Sequence, residues 1–293
     1  MVHKGNLRVP TETAVLVVGA GGMIGSALQT TLTSRGIPTV GTTRTGNGGA
    51  ILLDLLAEPA TWRIPDHIAT AVLCAAITST KACRERSVEA RRVNVDATVA
   101  LGRLLAGRGC RIIFLSTNMV FDGSVPFVPA DTPPCPRTPY GVLKAEAEGE
   151  LLALGDAVTV MRLTKVFGPF PQLLQEWQGR LRAGDPIHPF ADLVMAPVPL
   201  RHAVEVVAGV IAARLPGIVQ VSATEDLSYA AAAVRLAESL GVDRSLVQPT
   251  LATAHRHDLE YVPRYTTLDA SRARDALGLP PPNPWTALEE YTS

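Results

Sequence analysis

The chain has 293 residues, 47% of them hydrophobic and 18% charged, with a formal net charge of zero. That length and apolar content can bury a full-sized core, and the balanced charge gives no electrostatic reason to expect nucleic acid or an anionic membrane surface as partner. The four cysteines, Cys74, Cys83, Cys110 and Cys135, form no CxxC pair, and the start MVHKGNLRVPTETA lacks the long apolar segment of a secretory leader, which points to reduced cytosol.

The first predicted element is the strand AVLVV (14–18), followed by the helical period of MIGSALQTTLTSRG. Between them lies Gly19-Ala-Gly-Gly-Met-Ile-Gly25, in which Gly19, Gly22 and Gly25 satisfy GxxGxxG, whereas no choice satisfies GxGxxG. Glycines here let the backbone turn tightly and approach a pyrophosphate, whose charge meets the amide groups and positive dipole end of the next helix. The second strand, IPTVG (37–41), runs into Thr42, Thr43 and Arg44 and carries no acid. An Asp or Glu at this place accepts from the ribose of NAD, while a guanidinium suits the 2′-phosphate of NADP, so NADP(H) is expected before NAD. Asp54, in ILLDL, is placed to accept from an adenine amino group or to cap the next segment.

Further strands are expected at TAVLCA (70–75), RIIFLS (111–116), AVTVMRL (157–163) and GIVQVS (217–222), with helices over 88–109, 139–155 and 227–241. Strand alternating with helix predicts an α/β fold, a doubly wound parallel sheet of Rossmann type. Between about Val166 and Pro199, and again from about Val247 onward, proline-rich stretches break the rhythm. The expected organisation is a dinucleotide-binding domain over 1–165, with 202–243 returning to it, and a small C-terminal substrate-binding lobe from 166–201 and 244–293. The apolar runs are too short to span a bilayer.

The strand 111–116 leads into Ser116 and Thr117 at the carboxyl edge of the sheet, where such folds bind ligands. Either hydroxyl could hold a substrate oxygen or tie up local backbone. In TPYGVLKAEAEGELL, Tyr140 and Lys144 stand four apart, one helical face about 6 Å wide. The chain has only four lysines and five tyrosines, so chance gives this spacing an expectation of about 0.07. Free tyrosine is a poor proton donor at neutral pH, and a cation about 5 Å away is worth roughly 3 kcal/mol, or about two pKa units downward.

Taken together, GxxGxxG, NVDAT, STNMVFDG and YxxxK make the chain resemble an extended short-chain dehydrogenase/reductase of the dTDP-4-dehydrorhamnose reductase-like, sugar-nucleotide-modifying group. STNMVFDG is similar to that group's STDYVFDG, RLTKVFG to its RxxxVYG-like strand end, and TTLDASRARDALGLPPPNPWTALEE to its closing segment. The resemblance implies Tyr140 as general acid, Lys144 as the cation beside it and on the nicotinamide ribose, Thr117 on the reacting oxygen and Asn94 in a proton relay. It implies Met23, Ile24, Leu55, Ala75, Ala76, Thr164 and Val166 as further cofactor contacts, and Asn118, Met119, Lys165 and Phe167 with Thr117 as substrate contacts. Asn118 and Met119 replace an Asp and a Tyr of the rhamnose-forming reductases, and Lys165 an aromatic residue, which turns the expectation toward a different sugar nucleotide. Neither Asn118 nor Met119 can transfer protons, which argues against dehydration.

The expected activity is NADP(H)-dependent reduction of a keto group on a nucleotide-activated sugar. The alternatives are a sugar-nucleotide epimerase with retained NAD and a non-catalytic NADP-binding regulatory subunit. A homodimer is a candidate assembly. His255 and His257 lack a placed third ligand, so no metal is expected. Asp192, Arg180, Arg182 and Arg201 are weaker candidates near the lobe, and Trp177 and Trp285 are expected as packing anchors.

Overall fold

The computed structural model describes residues 13–169, 171–255 and 261–292. Strands β1 (Ala14–Val18), β2 (Thr39–Thr43), β3 (Ile51–Leu52), β4 (Ile68–Leu73), β5 (Arg111–Thr117) and β6 (Val158–Leu163) precede the short β7 (Lys165–Phe167), β8 (Val194–Met195) and β9 (Pro197–Pro199). β10 (Gly217–Val221) and β11 (Leu227–Ser228) complete the set. The helices are α1 (Met23–Ser34), α2 (Thr80–Glu85), α3 (Ser87–Arg91), α4 (Thr98–Gly107), α5 (Pro139–Leu152), α6 (Gln172–Arg182), α7 (Leu200–Ala213), α8 (Tyr229–Ser239), α9 (Ser271–Leu277) and α10 (Thr286–Thr292).

Seven strands form one sheet in the order β3-β2-β1-β4-β5-β6-β10, every pairing parallel. The chain works outward from β1 to β3 and then crosses back to β4, so strand order reverses between β1 and β4 and opens a crevice at their carboxyl ends. Alternate side chains divide the core. Leu16, Ala71, Ile112, Phe114 and Val160 pack with Leu101 and Leu105 of α4 and Ala147 and Leu151 of α5. Val15, Val17, Val72, Ile113 and Met161 pack on the other face with Leu28 and Leu32 of α1 and Val204 and Val207 of α7. This is the doubly wound arrangement expected from the strand and helix rhythm.

Three local departures have physical causes. β2 begins two residues later than expected, because Gly36, at φ 71°, lets the Ile37 amide bond back to Leu32 O at 3.0 Å and so end α1. The helix expected over 88–109 is interrupted by a π turn at Arg92–Ala97, whose wider turn re-aims Asn94. The Pro-rich stretch conceals α6, an amphipathic helix that buries Leu174, Trp177 and Leu181.

Those residues belong to a third cluster with Leu236 of α8 and Leu288 of α10. α8 therefore packs beside α6 and α10 rather than returning to the main sheet, while α9 lies against β10 and α7. Trp177 meets Tyr229 edge-on, ring centroids 6.5 Å apart, and Trp285 packs against the same cluster. None of the four cysteines is joined in a disulfide among the described residues, and among these residues no helix is long and apolar enough to cross a membrane.

The segment after β5 is pinned from below by a buried ion pair. Arg162 Nη2 lies 2.7 Å from Glu148 Oε2, both side chains 2% exposed, and Arg162 Nη1 donates to Ala130 O at 2.9 Å. Removing one charge of such a pair leaves the other uncompensated. Glu148→Gln is expected to lower stability by about 3 kcal/mol, read as a shifted urea midpoint with unchanged slope.

Candidate active site

The glycine loop is closed by contact rather than by side chains. Gly19 has φ 86°, and the Gly19 and Ala20 amides donate to Thr42 O at 3.1 and 2.9 Å. A Cβ at Gly25 would stand 2.3 Å from Gly19 O, and one at Gly19 would stand 2.9 Å from the Ala75 amide. Both glycines are thus required for the loop to lie between α1 and the end of β4. α1 starts at Gly22 with no side-chain cap, so its first-turn amides and positive dipole end can serve an anion.

Beside this loop Gly19, Arg44, Asp54, Leu55, Ala75 and Ala76 line one cleft. Arg44 is exposed and makes no ion pair among the described residues. Asp54 Oδ1 accepts from the Leu56 amide at 3.0 Å, which is the local capping contact weighed from the sequence. Glu89 and Val93 line the same cleft and escaped the sequence reading. They come from α3 and the π turn, and no local motif announces their arrival beside β2.

The residues expected at the reacting centre are carried by β5 and α5. Thr138 caps α5, its Oγ1 accepting from the Gly141 amide at 3.1 Å, and Pro139 follows in the first turn. A Cβ at Gly141 would lie 2.1 Å from Met119 O, so its bare backbone lets the start of α5 rest on the turn after β5. Tyr140, Lys144 and Glu148 then form a buried stripe at successive helical turns. Lys144 Nζ donates to Leu115 O at 2.5 Å and sits 3.7 Å from the centroid of the Phe114 ring.

Burial governs both titrations. It pushes the Tyr140 phenol well above its ordinary value, with the nearby Cys83 thiol adding in the same direction. It also drops the Lys144 ammonium to about 7, against a smaller upward pull from Glu148. The sequence argument expected Lys144 to lower the tyrosine. That sum assumed a well-screened cation facing the phenol, whereas the ammonium is turned to a main-chain carbonyl in a dry interior.

Thr117 and Asn94 are also engaged. Thr117 Oγ1 accepts from the Met119 amide at 3.2 Å and lies 3.4 Å from Asn118 Oδ1, so the local alternative weighed for this hydroxyl is the one observed. Ser116 Oγ is buried without a hydrogen-bond partner. Asn94 accepts from the Ile77 amide and donates to Ile77 O, both at 2.8 Å, which fixes the connection after β4 next to Ala75 and Ala76. Its Nδ2 also lies 3.8 Å from the Cys83 thiol.

Past β6, Thr164 is buried with its hydroxyl 2.6 Å from Ala196 O. Met23, Lys165, Val166, Phe167 and Gly168 line a second cavity, where a Cβ at Gly168 would meet Met23 Sδ at 2.3 Å. Ile24 is half-buried in the first turn of α1. Asn118 and Met119 open instead on a third cavity, with Arg137, Tyr265 and Leu268. The expected substrate contacts other than Thr117 therefore divide between two cavities.

Asp192 accepts from the Ala252 and Thr253 amides at 2.5 and 3.1 Å and so shapes the lobe locally. Arg180 and Arg182 are exposed at the end of α6, and Arg201 is exposed at the start of α7. His255 ends a 3-10 turn, and His257 lies outside the described residues. Among the described residues no group of three or more His, Cys, Asp and Glu side chains is placed to hold a metal ion.

Residues 13–293 match the family described as RmlD substrate binding domain. The dTDP-4-dehydrorhamnose reductase of Streptomyces griseus is 30% identical over 282 residues, covering 93% of this chain and 90% of that one. Methionine adenosyltransferase 2 subunit beta of Xenopus laevis is 27% identical over 175 residues, covering 59% of this chain and 52% of that one. The structure of dTDP-4-dehydrorhamnose reductase from Bacillus anthracis in complex with NADP superposes with a TM-score of 0.81 at 18% identity, over 96% of this chain and 99% of that one, a likeness of fold.

Proposed function

The chain belongs to the RmlD substrate binding domain family, and on that premise we propose that it is an NADP(H)-dependent reductase of a keto group on a nucleotide-activated sugar. One observation carries the reading: six residues chosen from the sequence as dinucleotide contacts line a single cleft at the strand-order reversal. The residues fit the cofactor. The cradle that a Cβ at Gly19 or Gly25 would fill, with the uncapped start of α1, suits a pyrophosphate. Arg44, unpaired and with no acid on β2, suits a 2′-phosphate and favours NADP over NAD.

When bound, the reduced nicotinamide supplies a hydride. The chain's own part is to hold a proton at Tyr140 Oη. Because burial raises that phenol, it stays protonated throughout the neutral range and donates to the carbonyl oxygen as it becomes an alkoxide, a far stronger base than phenolate. Thr117 would release Asn118 to steady the same oxygen. Lys144 would serve the ribose and the proton path, and Asn94 keeps the connection at Ala75 and Ala76 in place through Ile77.

A second reading is a non-catalytic NADP-binding regulatory subunit, favoured by the engagement of Thr117. An epimerase with retained NAD is opposed by Arg44. The purified protein, NADPH and a panel of 4-keto sugar nucleotides separate the three. Substrate-dependent loss of reduced-nicotinamide absorbance supports the reductase. NADPH binding with no keto sugar reduced supports the regulatory subunit, and NAD surviving purification the epimerase. In the same assay Arg44→Ala is expected to raise the KM for NADPH about tenfold and leave that for NADH unchanged.

A further inference from the structure

Lys165 opens β7, two residues past the last residue of β6. Leu163 is paired with Thr117 across the parallel ladder. With strands about 4.8 Å apart and about 3.3 Å of rise per residue, a straight run on from Leu163 would set the Lys165 backbone on the order of 8 Å from that of Thr117. A flexible four-carbon stem covers such a distance. Its neighbours on β7 turn inward, Val166 half-buried and Phe167 buried, while Lys165 is exposed in the cavity it shares with Met23.

Charge sets this lysine apart. Among the described residues Lys81 lies 3.9 Å from Glu85 and Lys144 is buried on Leu115 O, whereas Lys165 makes no ion pair or hydrogen bond. Glu176 lines the same cavity and is likewise unpaired, and no ion pair forms between them. The other walls, Met23, Pro169, Pro171 and Leu173, carry no charge.

We propose that Lys165 recognises a carboxylate on the sugar of the substrate, so that the chain acts on an acidic sugar nucleotide. The inference rests on the sugar-nucleotide reading above. In that reading the start of α1 and Arg44 already meet the phosphates of the dinucleotide. The anion left for Lys165 belongs to the substrate, and its place beside the strand end of Thr117 assigns it to the reacting sugar rather than to the nucleotide.

Titration calorimetry on NADP-loaded protein tests this with two matched pairs, UDP-glucose against UDP-glucuronic acid and dTDP-glucose against dTDP-glucuronic acid. At least one acidic nucleotide is expected to bind about tenfold more tightly than its neutral partner. Lys165→Met removes that preference by weakening only the acidic member, and Lys165→Arg keeps it. Equal affinities within every pair overturn the role of Lys165 and leave the sugar-nucleotide reading standing. Weaker NADP binding by Lys165→Met overturns it in favour of a cofactor phosphate. Binding of none of the four overturns the sugar-nucleotide reading and the inference with it.

Discussion

Replacing Tyr140 by phenylalanine is expected to lower the single-turnover rate of NADPH-dependent keto reduction by about 10³-fold, with NADPH affinity unchanged within about twofold. The substitution removes one oxygen and keeps the ring, which is 8% exposed at the start of α5. Helix, cap and cleft therefore persist, and the loss reports the proton alone. Burial holds the phenol protonated, so the wild-type rate should show no basic limb from Tyr140 below pH about 10. Stopped-flow loss of reduced-nicotinamide absorbance across pH measures both. A Tyr140→Phe rate within tenfold of wild type would sink the assignment of Tyr140 as the acid and place the proton donor elsewhere.

What could be read from the chain alone follows from what is local in the physics. Alternating apolar runs and helical periods announce the parallel sheet, because each element must bury one face wherever it goes. The glycine loop is legible because contacts at 2.3 and 2.9 Å forbid a Cβ. The spacing of Tyr140 and Lys144 reports a shared helical face and is silent on where a long side chain ends. The Lys144 ammonium goes to Leu115 O, a partner 29 residues away, and that choice inverts the expected electrostatics. Thr117 is similar: strand position marks the residue, and the turn that follows decides what its hydroxyl bonds. α6 is concealed by flanking prolines although its interior reads as an amphipathic helix. The partner of α8 is settled by Trp177 and Leu288, on helices far from it in the chain. Glu89 reaches the cleft by tertiary packing alone.

Lys144→Met should separate stability from activity. The ammonium is buried with its pKa lowered to about 7 from the ordinary 10.5. Below pH about 7 the lysine is charged in both the folded and the unfolded chain, and folding carries the full cost of drying that charge. Between about 7 and 10.5 the folded chain holds it neutral while the unfolded chain still binds the proton. Stability therefore rises with pH across this window, and the cost is gone above it. Methionine removes the cost at every pH, has nearly the same shape and forfeits the bond to Leu115 O, worth about 1 kcal/mol, with the contact to the Phe114 ring and the pull of Glu148. The variant is expected to melt about 5 °C above wild type near pH 6, with the gap closing toward pH 10. Its rate of keto reduction should fall at least about 100-fold, because the amine that would serve the ribose and the proton path is lost. A group that destabilises its own fold and is retained at the centre of a buried stripe fits a functional role better than a packing one. A variant less stable than wild type at all pH values would instead make Lys144 a structural clamp on β5.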